Sequence, residues 1–231
     1  MDTKEDKLVE RLEITRSAIE LGKLEDFLAK VEQQGLLSRS SRQYRDVTRA
    51  EAISQFNPTE DIWLFAYGSL LWNPTIYYEE TRHGHLYGLH RKFCLNTVLG
   101  RGTPECPGLM LALDYGGSCK GIAYRIARAI ADQELKIIWD REMVSKSYIA
   151  KVVRLRTEQG PLKAITFAIN RRDAKYSGKL SEIEIANLIS SSKGPMGSCR
   201  DYLFQTIERL TEHGLEDGHL NRLAKLVKNS Q

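Results

Sequence analysis

The sequence predicts an α+β protein in which a curved antiparallel sheet or small barrel is flanked by helices. Three observations predict this class. An apolar run stops abruptly at a glycine, further strand-like segments rich in Tyr, Leu and Ile follow it, and the C-terminal part changes to a helical period. The 231 residues are enough to bury a sizeable core.

The N-terminal part is predicted to be a helical extension. Residues 7–34 carry apolar side chains at an approximately helical spacing that is interrupted near Gly22, which predicts one or two amphipathic helices. The polar run 38–45 carries loop signals, so we expect a linker there. We therefore divide the chain into an extension with its linker, residues 1–58, and a main domain, residues 59–231.

The first core strand is predicted where the run IWLFAY, residues 62–67, meets Gly68. Glycine punctuation and β-forming residues predict further strands at 84–98, 109–114 and 119–126. The remaining pattern predicts a helix at 130–144 and then a hairpin whose strands are 148–156 and 161–169. Three more helices are predicted at 182–189, 201–212 and 217–228.

Charge and hydropathy exclude several classes of partner. The formal charge of +4 arises from 34 basic and 30 acidic residues, a mixed surface that does not select polyanions. Residues 1–10 lack the apolar core of a signal peptide, and no apolar run approaches the ~18 residues of a membrane span. We expect a soluble, cytoplasmic protein that binds neither nucleic acid nor a membrane.

Cysteine and histidine spacing predicts no metal site. No cysteine pair has the Cys-x-x-Cys spacing of a zinc site, and His83, His85 and His90 have no further ligand at a suitable distance along the chain. In the cytoplasm the thiols would stay reduced, and we interpret them as small buried side chains. The cysteines are Cys94, Cys106, Cys119 and Cys199.

A carboxylate lies on the apolar face of the helix predicted after the first strands. Its apolar stripe includes Ile138 and Trp139, and a step of three or four residues leads to Glu142. Burial there would raise the pKa of Glu142 and suit it to acid–base chemistry near neutral pH. Alternatively, Glu142 forms a structural ion pair with an arginine such as Arg125 or Arg154.

A glycine loop follows the first strand. In Tyr67-Gly68-Ser69 the glycine allows consecutive N–H groups to turn toward one point and bind an anion, although an ordinary turn fits the same letters. Arg91 and Arg101 could each bind a substrate carboxylate through two hydrogen bonds. Solvated surface charge is the default for either arginine alone.

Six ordered blocks of residues stand out along the chain. They are WLFAYGSLLWNP at 63–74, HRKFC at 90–94, RGT at 101–103, PGLMLAL at 107–113, GIAY at 121–124 and WDREM at 139–143. Together these blocks resemble the ChaC family of γ-glutamyl cyclotransferases, over about residues 61–210. Two positions depart from the family pattern: Ala66 replaces the first glycine of Gly-Tyr-Gly-Ser, and Cys199 stands where asparagine is common.

The resemblance implies a fold and a set of site residues. The fold is a small mixed barrel with flanking helices, and the family uses no metal or organic cofactor. Glu142 matches the catalytic glutamate. Arg101, Tyr148 and Tyr202 are hypothetical substrate contacts, Arg101 for the glycine carboxylate of glutathione. The loop matched to γ-glutamyl binding comprises Leu64, Phe65, Ala66, Tyr67, Gly68, Ser69 and Leu70.

The implied reaction is an intramolecular attack. The α-amine of glutathione attacks its own γ-amide carbonyl and gives 5-oxoproline and cysteinylglycine, with Glu142 as base and then acid. The loop amides would bind the α-carboxylate or the oxyanion. Other γ-glutamyl amines or amino acids are alternative substrates, and a non-enzymatic regulator linked to cation transport is an alternative function.

Overall fold

A computed structural model describes residues 14–229, and the part of the predicted extension before Ile14 lies outside the described residues. The helices are α1 Arg16–Glu20, α2 Lys23–Gln33, α3 Arg42–Ile53, α4 Ala131–Glu142, α5 Glu182–Ser191, α6 Cys199–Glu212 and α7 Gly218–Asn229. The strands are β1 Ile62–Ala66, β2 Glu80–Thr97, β3 Gly108–Ile126, β4 Tyr148–Thr157, β5 Gly160–Ile169, β6 Lys193–Gly194 and β7 Gly197–Ser198.

Five strands close into a mixed barrel in the order β1-β3-β2-β4-β5. Most neighbours are antiparallel, but β1 meets β5 in parallel at Leu64 and Ile165, and this contact closes the barrel. The long β2–β3 pair is interrupted by irregularities at Tyr87/Leu89 and Phe93/Leu95, which bend the strands as closure requires. The predicted fold class is therefore confirmed.

Two elements differ from the sequence prediction. The segments 109–114 and 119–126 are one strand, because β3 pairs with β2 on both sides of Gly116 and Gly117. The predicted linker 38–45 is also wrong in part, because α3 begins within it. Ser41 caps α3 by accepting a hydrogen bond from the Tyr44 N–H at 3.1 Å.

The helix α4 is covered on two sides. Its predicted stripe, including Ile138 and Trp139, is fully buried against the core. Ile137 points to another side and packs with apolar residues of α1 and α2. Glu134 is also buried, with only 2% of its side chain exposed, and pairs with Arg16 at 2.6 Å. The N-terminal helices therefore pack directly on the element that ends at Glu142.

The helix α3 belongs to the main core. Ala52 and Phe56 are buried in the same cluster as Trp139, and the Trp139 indole donates to Thr48 Oγ1 at 3.0 Å. These contacts join part of residues 1–58 to the barrel. The division at residue 58 stays a prediction.

Within residues 14–229, no helix is both long and apolar enough to cross a membrane. The same residues contain no cluster of three or more His, Cys, Asp or Glu side chains that could bind a metal ion. Cys94, Cys119 and Cys199 are buried free thiols, as predicted, whereas Cys106 is partly exposed.

Candidate active site

A cavity of about 720 Å³ lies where β1 and α4 both end. The loop that follows β1 forms one wall, and the C-terminal end of α4 forms another. The cavity therefore gathers residues that the sequence predicted from separate patterns. Those that line it are Tyr67, Gly68, Ser69, Leu70, Arg101, Glu142, Tyr148 and Tyr202.

Three predicted contact residues lie elsewhere. Leu64, Phe65 and Ala66 are fully buried in β1 and do not line the cavity. Their side chains pack in the core on either side of the strand, because β1 is covered on both faces. We therefore correct their assignment from substrate contacts to support of the loop that follows.

Glu142 is the last residue of α4, and its side chain is 14% exposed. Burial raises the pKa of this carboxyl, and the charge of Arg141, whose Nε lies 3.0 Å from Oε1, partly opposes the rise. The alternative of an ion pair with an arginine is confirmed, but the partner is Arg141 and not one of the two arginines named: Arg125 pairs with acidic side chains of its own region, and Arg154 is exposed. A carboxyl whose pKa is raised by burial holds a proton more readily than an exposed glutamate, which suits it to proton transfer.

Arg141 connects the two walls of the cavity. Besides Glu142, its guanidinium donates to Ser69 Oγ at 2.8 Å and to the carbonyl oxygen of Asn73. It therefore fixes the distance between the glycine loop and the carboxylate. The sequence analysis missed this role, and the only available signal was the position of Arg141 beside Glu142.

The peptide between Tyr67 and Gly68 has a fixed orientation. Arg91 Nε donates to the Tyr67 carbonyl oxygen at 2.5 Å, and because the peptide is trans the Gly68 N–H points the opposite way. A β-carbon on Gly68 would lie 3.2 Å from Tyr202 Oη, so glycine allows this close approach. The next residue, Ser69, begins a short 3₁₀ helix, whose first N–H groups have no partner inside the helix.

Arg91 and Arg101 are both buried, so the default prediction that each is a solvated surface charge is wrong. Arg91 also donates to the Lys120 carbonyl oxygen at 2.7 Å and pairs with Asp217, so its donors are occupied by the protein. Arg101 donates to the Ser198 carbonyl oxygen at 3.0 Å and lies 5.2 Å from the centre of the Tyr202 ring. Within residues 14–229 it forms no ion pair, which suits it to an anionic ligand.

Three tyrosines surround the carboxylate. Tyr67 donates its hydroxyl to the Phe167 carbonyl oxygen at 2.9 Å, and Tyr148 donates to that of Leu111 at 2.8 Å. Tyr202 packs edge-on against Trp72. Burial raises the pKa of all three phenols, and the Glu142 charge raises it further, so they remain neutral hydrogen-bonding groups.

Lys175 is a third cation on the cavity wall, after Arg101 and Arg141, and the sequence analysis missed it. Burial lowers the pKa of its ammonium group, while Asp173 raises it. The backbone hydrogen bond from the Asn96 N–H to the Lys175 carbonyl oxygen, 2.8 Å, holds this segment beside β2. No local pattern marked Lys175, because it reaches the cavity from a loop far along the chain.

Cys199 supports the loop that carries Arg101. Its sulfur accepts a hydrogen bond from the Leu109 N–H at 3.3 Å and lies 3.1 Å from the Arg101 carbonyl oxygen. A β-carbon on Gly108 would lie 2.6 Å from this sulfur, so the two segments pass each other closely. Cys199, which stands where the family commonly has asparagine, therefore supports the backbone at Arg101 and does not itself line the cavity.

Comparison with known proteins matches the same region. The model of a family described as ChaC-like protein matches residues 62–230. The glutathione-specific γ-glutamylcyclotransferase of Escherichia coli K12 is 40% identical over 168 residues, 72% of this chain and 73% of that protein. The human glutathione-specific γ-glutamylcyclotransferase 1 is 30% identical over 173 residues, 72% of this chain and 78% of that protein.

The fold also has a counterpart among solved structures. The crystal structure of a γ-glutamyl cyclotransferase specific to glutathione from yeast superimposes with a TM-score of 0.68. The match covers 74% of this chain and 97% of the yeast chain at 20% identity. At that identity the likeness concerns the fold alone.

Proposed function

This chain belongs to the ChaC-like protein family, and from that premise we propose that it is a γ-glutamyl cyclotransferase that cleaves glutathione into 5-oxoproline and cysteinylglycine. The observation that carries the proposal is the position of Glu142. It ends α4 inside the cavity, has a pKa raised by burial and lies across from the glycine loop. This is the arrangement that a base needs beside an oxyanion-binding loop.

The reaction needs no external nucleophile. The γ-glutamyl group binds against Tyr67-Gly68-Ser69, so that its α-amine faces Glu142 and its γ-carbonyl lies within reach. Glu142 takes a proton from the amine, the amine nitrogen attacks the carbonyl carbon, and N–H groups of the loop bind the oxyanion. Glu142 then gives the proton to the departing nitrogen as the amide C–N bond breaks.

The cations of the cavity support glutathione over simpler γ-glutamyl amines. Glutathione has two carboxylates, one on each side of the bond that breaks. Arg101 and Lys175 line the cavity in addition to the loop, and Arg101 has no carboxylate partner within residues 14–229. A buried cation without an ion-pair partner is costly, and a substrate carboxylate would compensate for that cost. Tyr148 and Tyr202 orient the substrate between these points.

The regulator hypothesis is less well supported. A binding protein has no need for a buried carboxylate with a raised pKa, and maintaining that carboxylate costs stability. The substrate class is a small molecule, and the cytoplasmic location stays a prediction from the sequence.

The test is to incubate the purified protein with glutathione and to quantify 5-oxoproline by mass spectrometry. We expect Glu142→Gln to lower kcat/KM by about 10²- to 10⁴-fold while the circular dichroism spectrum is unchanged. Asp132→Asn is the matched control, because Asp132 lies on the same helix with 76% of its side chain exposed. Absence of lactam with wild-type protein contradicts the function, and a folded, active Glu142→Gln variant contradicts the assignment of the base.

A further inference from the structure

The active-site cavity continues to a wall supplied by the N-terminal helices. Leu24, Leu28 and Leu37 are buried, Phe27 is half-buried, and all four are apolar. This wall lies before residue 62, where the family match begins. The residues of the extension that line the cavity are Ile14, Thr15, Leu24, Phe27, Leu28 and Leu37.

The apolar wall packs with residues that are close in the chain to Glu142 and to Arg101. Phe27 packs in one apolar cluster with Val144 and Leu99. Val144 is two residues after Glu142, and Leu99 is two residues before Arg101. Val144 and Leu99 line the same cavity as Glu142 and Arg101, so a ligand that occupies this cavity can contact the cluster.

Polar contacts hold the wall in place. Arg16 binds both carboxylate oxygens of Glu134, at 2.6 and 2.9 Å. The Asn73 side-chain amide donates to the Ile14 carbonyl oxygen at 2.6 Å, and the Ser40 N–H donates to that of Val144 at 2.9 Å. The wall is therefore attached to the glycine-loop side of the cavity and to the chain just after Glu142.

We propose that the wall is an apolar subsite for a substituent on the cysteine sulfur of the substrate, so that the protein cleaves glutathione S-conjugates with an apolar S-substituent. The inference rests on the proposed function. The glycine loop binds one end of the tripeptide and Arg101 with Lys175 bind the other, which leaves the central cysteine side chain to face the wall. An apolar group there would bury its surface against Phe27 and its neighbours and gain binding free energy.

The reaction keeps the sulfur substituent in place. The α-amine nitrogen bonds to the γ-carbonyl carbon, the γ-amide C–N bond breaks, and the proton taken from the amine goes to the released nitrogen. The products are 5-oxoproline and an S-substituted cysteinylglycine. The carbon–sulfur bond is unchanged, and no oxidant or co-reactant is needed.

The test compares glutathione with S-methyl-, S-butyl- and S-hexylglutathione on wild-type protein, with 5-oxoproline measured by mass spectrometry. We expect KM to fall as the alkyl chain lengthens, by about tenfold or more from methyl to hexyl. Turnover of glutathione with none of S-hexylglutathione overturns the subsite and leaves the proposed function intact. Lactam from no substrate overturns both.

Two variants locate the effect. Phe27→Ser should reduce kcat/KM for S-hexylglutathione by about tenfold or more and that for glutathione by less than about threefold. Leu21→Ser is the matched control, because Leu21 lies in the same extension, is 70% exposed and does not line the cavity. Equal losses on both substrates, or no loss on either, with Phe27→Ser overturn the subsite.

Discussion

At the scale of single residues, the cavity depends on how burial and charge are balanced around Glu142. Burial raises the pKa of its carboxyl, and Arg141 opposes the rise without cancelling it. The same arginine holds Ser69, so one side chain influences both the proton affinity of Glu142 and the distance of Glu142 from the glycine loop.

The raised pKa predicts the pH dependence of the reaction. Glu142 must be deprotonated to act as base, so kcat/KM should rise with pH through the pKa of Glu142 in the free enzyme. Because burial raises that pKa, the midpoint should lie above the ordinary glutamate value of about 4.3. A pH profile of lactam formation with glutathione measures it. A midpoint at or below the ordinary value would mean that the charge of Arg141 dominates over burial.

Arg101 should affect binding of the second carboxylate. Arg101→Ala should raise KM for glutathione by about tenfold or more, because a charge-assisted hydrogen bond is lost. It should change KM little for a γ-glutamyl alkylamine, which has no second carboxylate. Arg101→Lys keeps the charge but loses the planar guanidinium, so its KM for glutathione should lie between those of the wild-type protein and Arg101→Ala. Unchanged glutathione affinity in Arg101→Ala would exclude this contact.

At the scale of elements, α4 is packed between the barrel and the N-terminal helices. Local patterns predicted its buried stripe and Glu142, because Ile138 and Trp139 repeat at the helical period. They could not show that Glu134 is buried as well, since its partner Arg16 lies 118 residues away. Arg101 was predicted because it lies in a glycine-flanked loop. Lys175 was missed because it reaches the cavity from a distant part of the chain, which no local pattern shows.

The ion pair between Arg16 and Glu134 should hold α1 and α2 on α4. Arg16→Ala leaves a carboxylate with 2% side-chain exposure without its cation, which typically costs about 3–5 kcal/mol. Hydrogen exchange of the α1 and α2 amides should therefore become faster. Glu20→Gln is the control, because Glu20 contacts the same arginine with 46% of its side chain exposed. Unchanged exchange in Arg16→Ala would mean that apolar packing alone holds these helices.

At the scale of the whole molecule, the sequence predicted the order of the main strands and helices, whereas the division between extension and domain at residue 58 stays a prediction. Apolar runs that end at glycines identify strands locally, as at Gly68. The helix α3 has few apolar residues, and its burial depends on contacts with Trp139 and the core that no local window contains. Barrel closure through Leu64 and Ile165 is likewise a long-range contact.

Phe56 tests whether the extension is separate from the domain. Its side chain is 5% exposed in the main core, so Phe56→Ala should lower the global free energy of unfolding by about 3–5 kcal/mol, measured with urea. Ile183→Ala, at a position 65% exposed on α5, should change it by less than about 0.5 kcal/mol. A small loss in Phe56→Ala would favour an extension that folds independently of the barrel.

The residues that support the glycine loop are synthesised at different times. Arg91, which holds the Tyr67 carbonyl oxygen, is itself paired with Asp217, 126 residues later in the chain. Proteins are synthesised from the N-terminus to the C-terminus, so the barrel strands leave the ribosome before Asp217 does. A nascent chain can therefore contain every strand of the barrel while the arginine that supports the glycine loop still lacks its counterion.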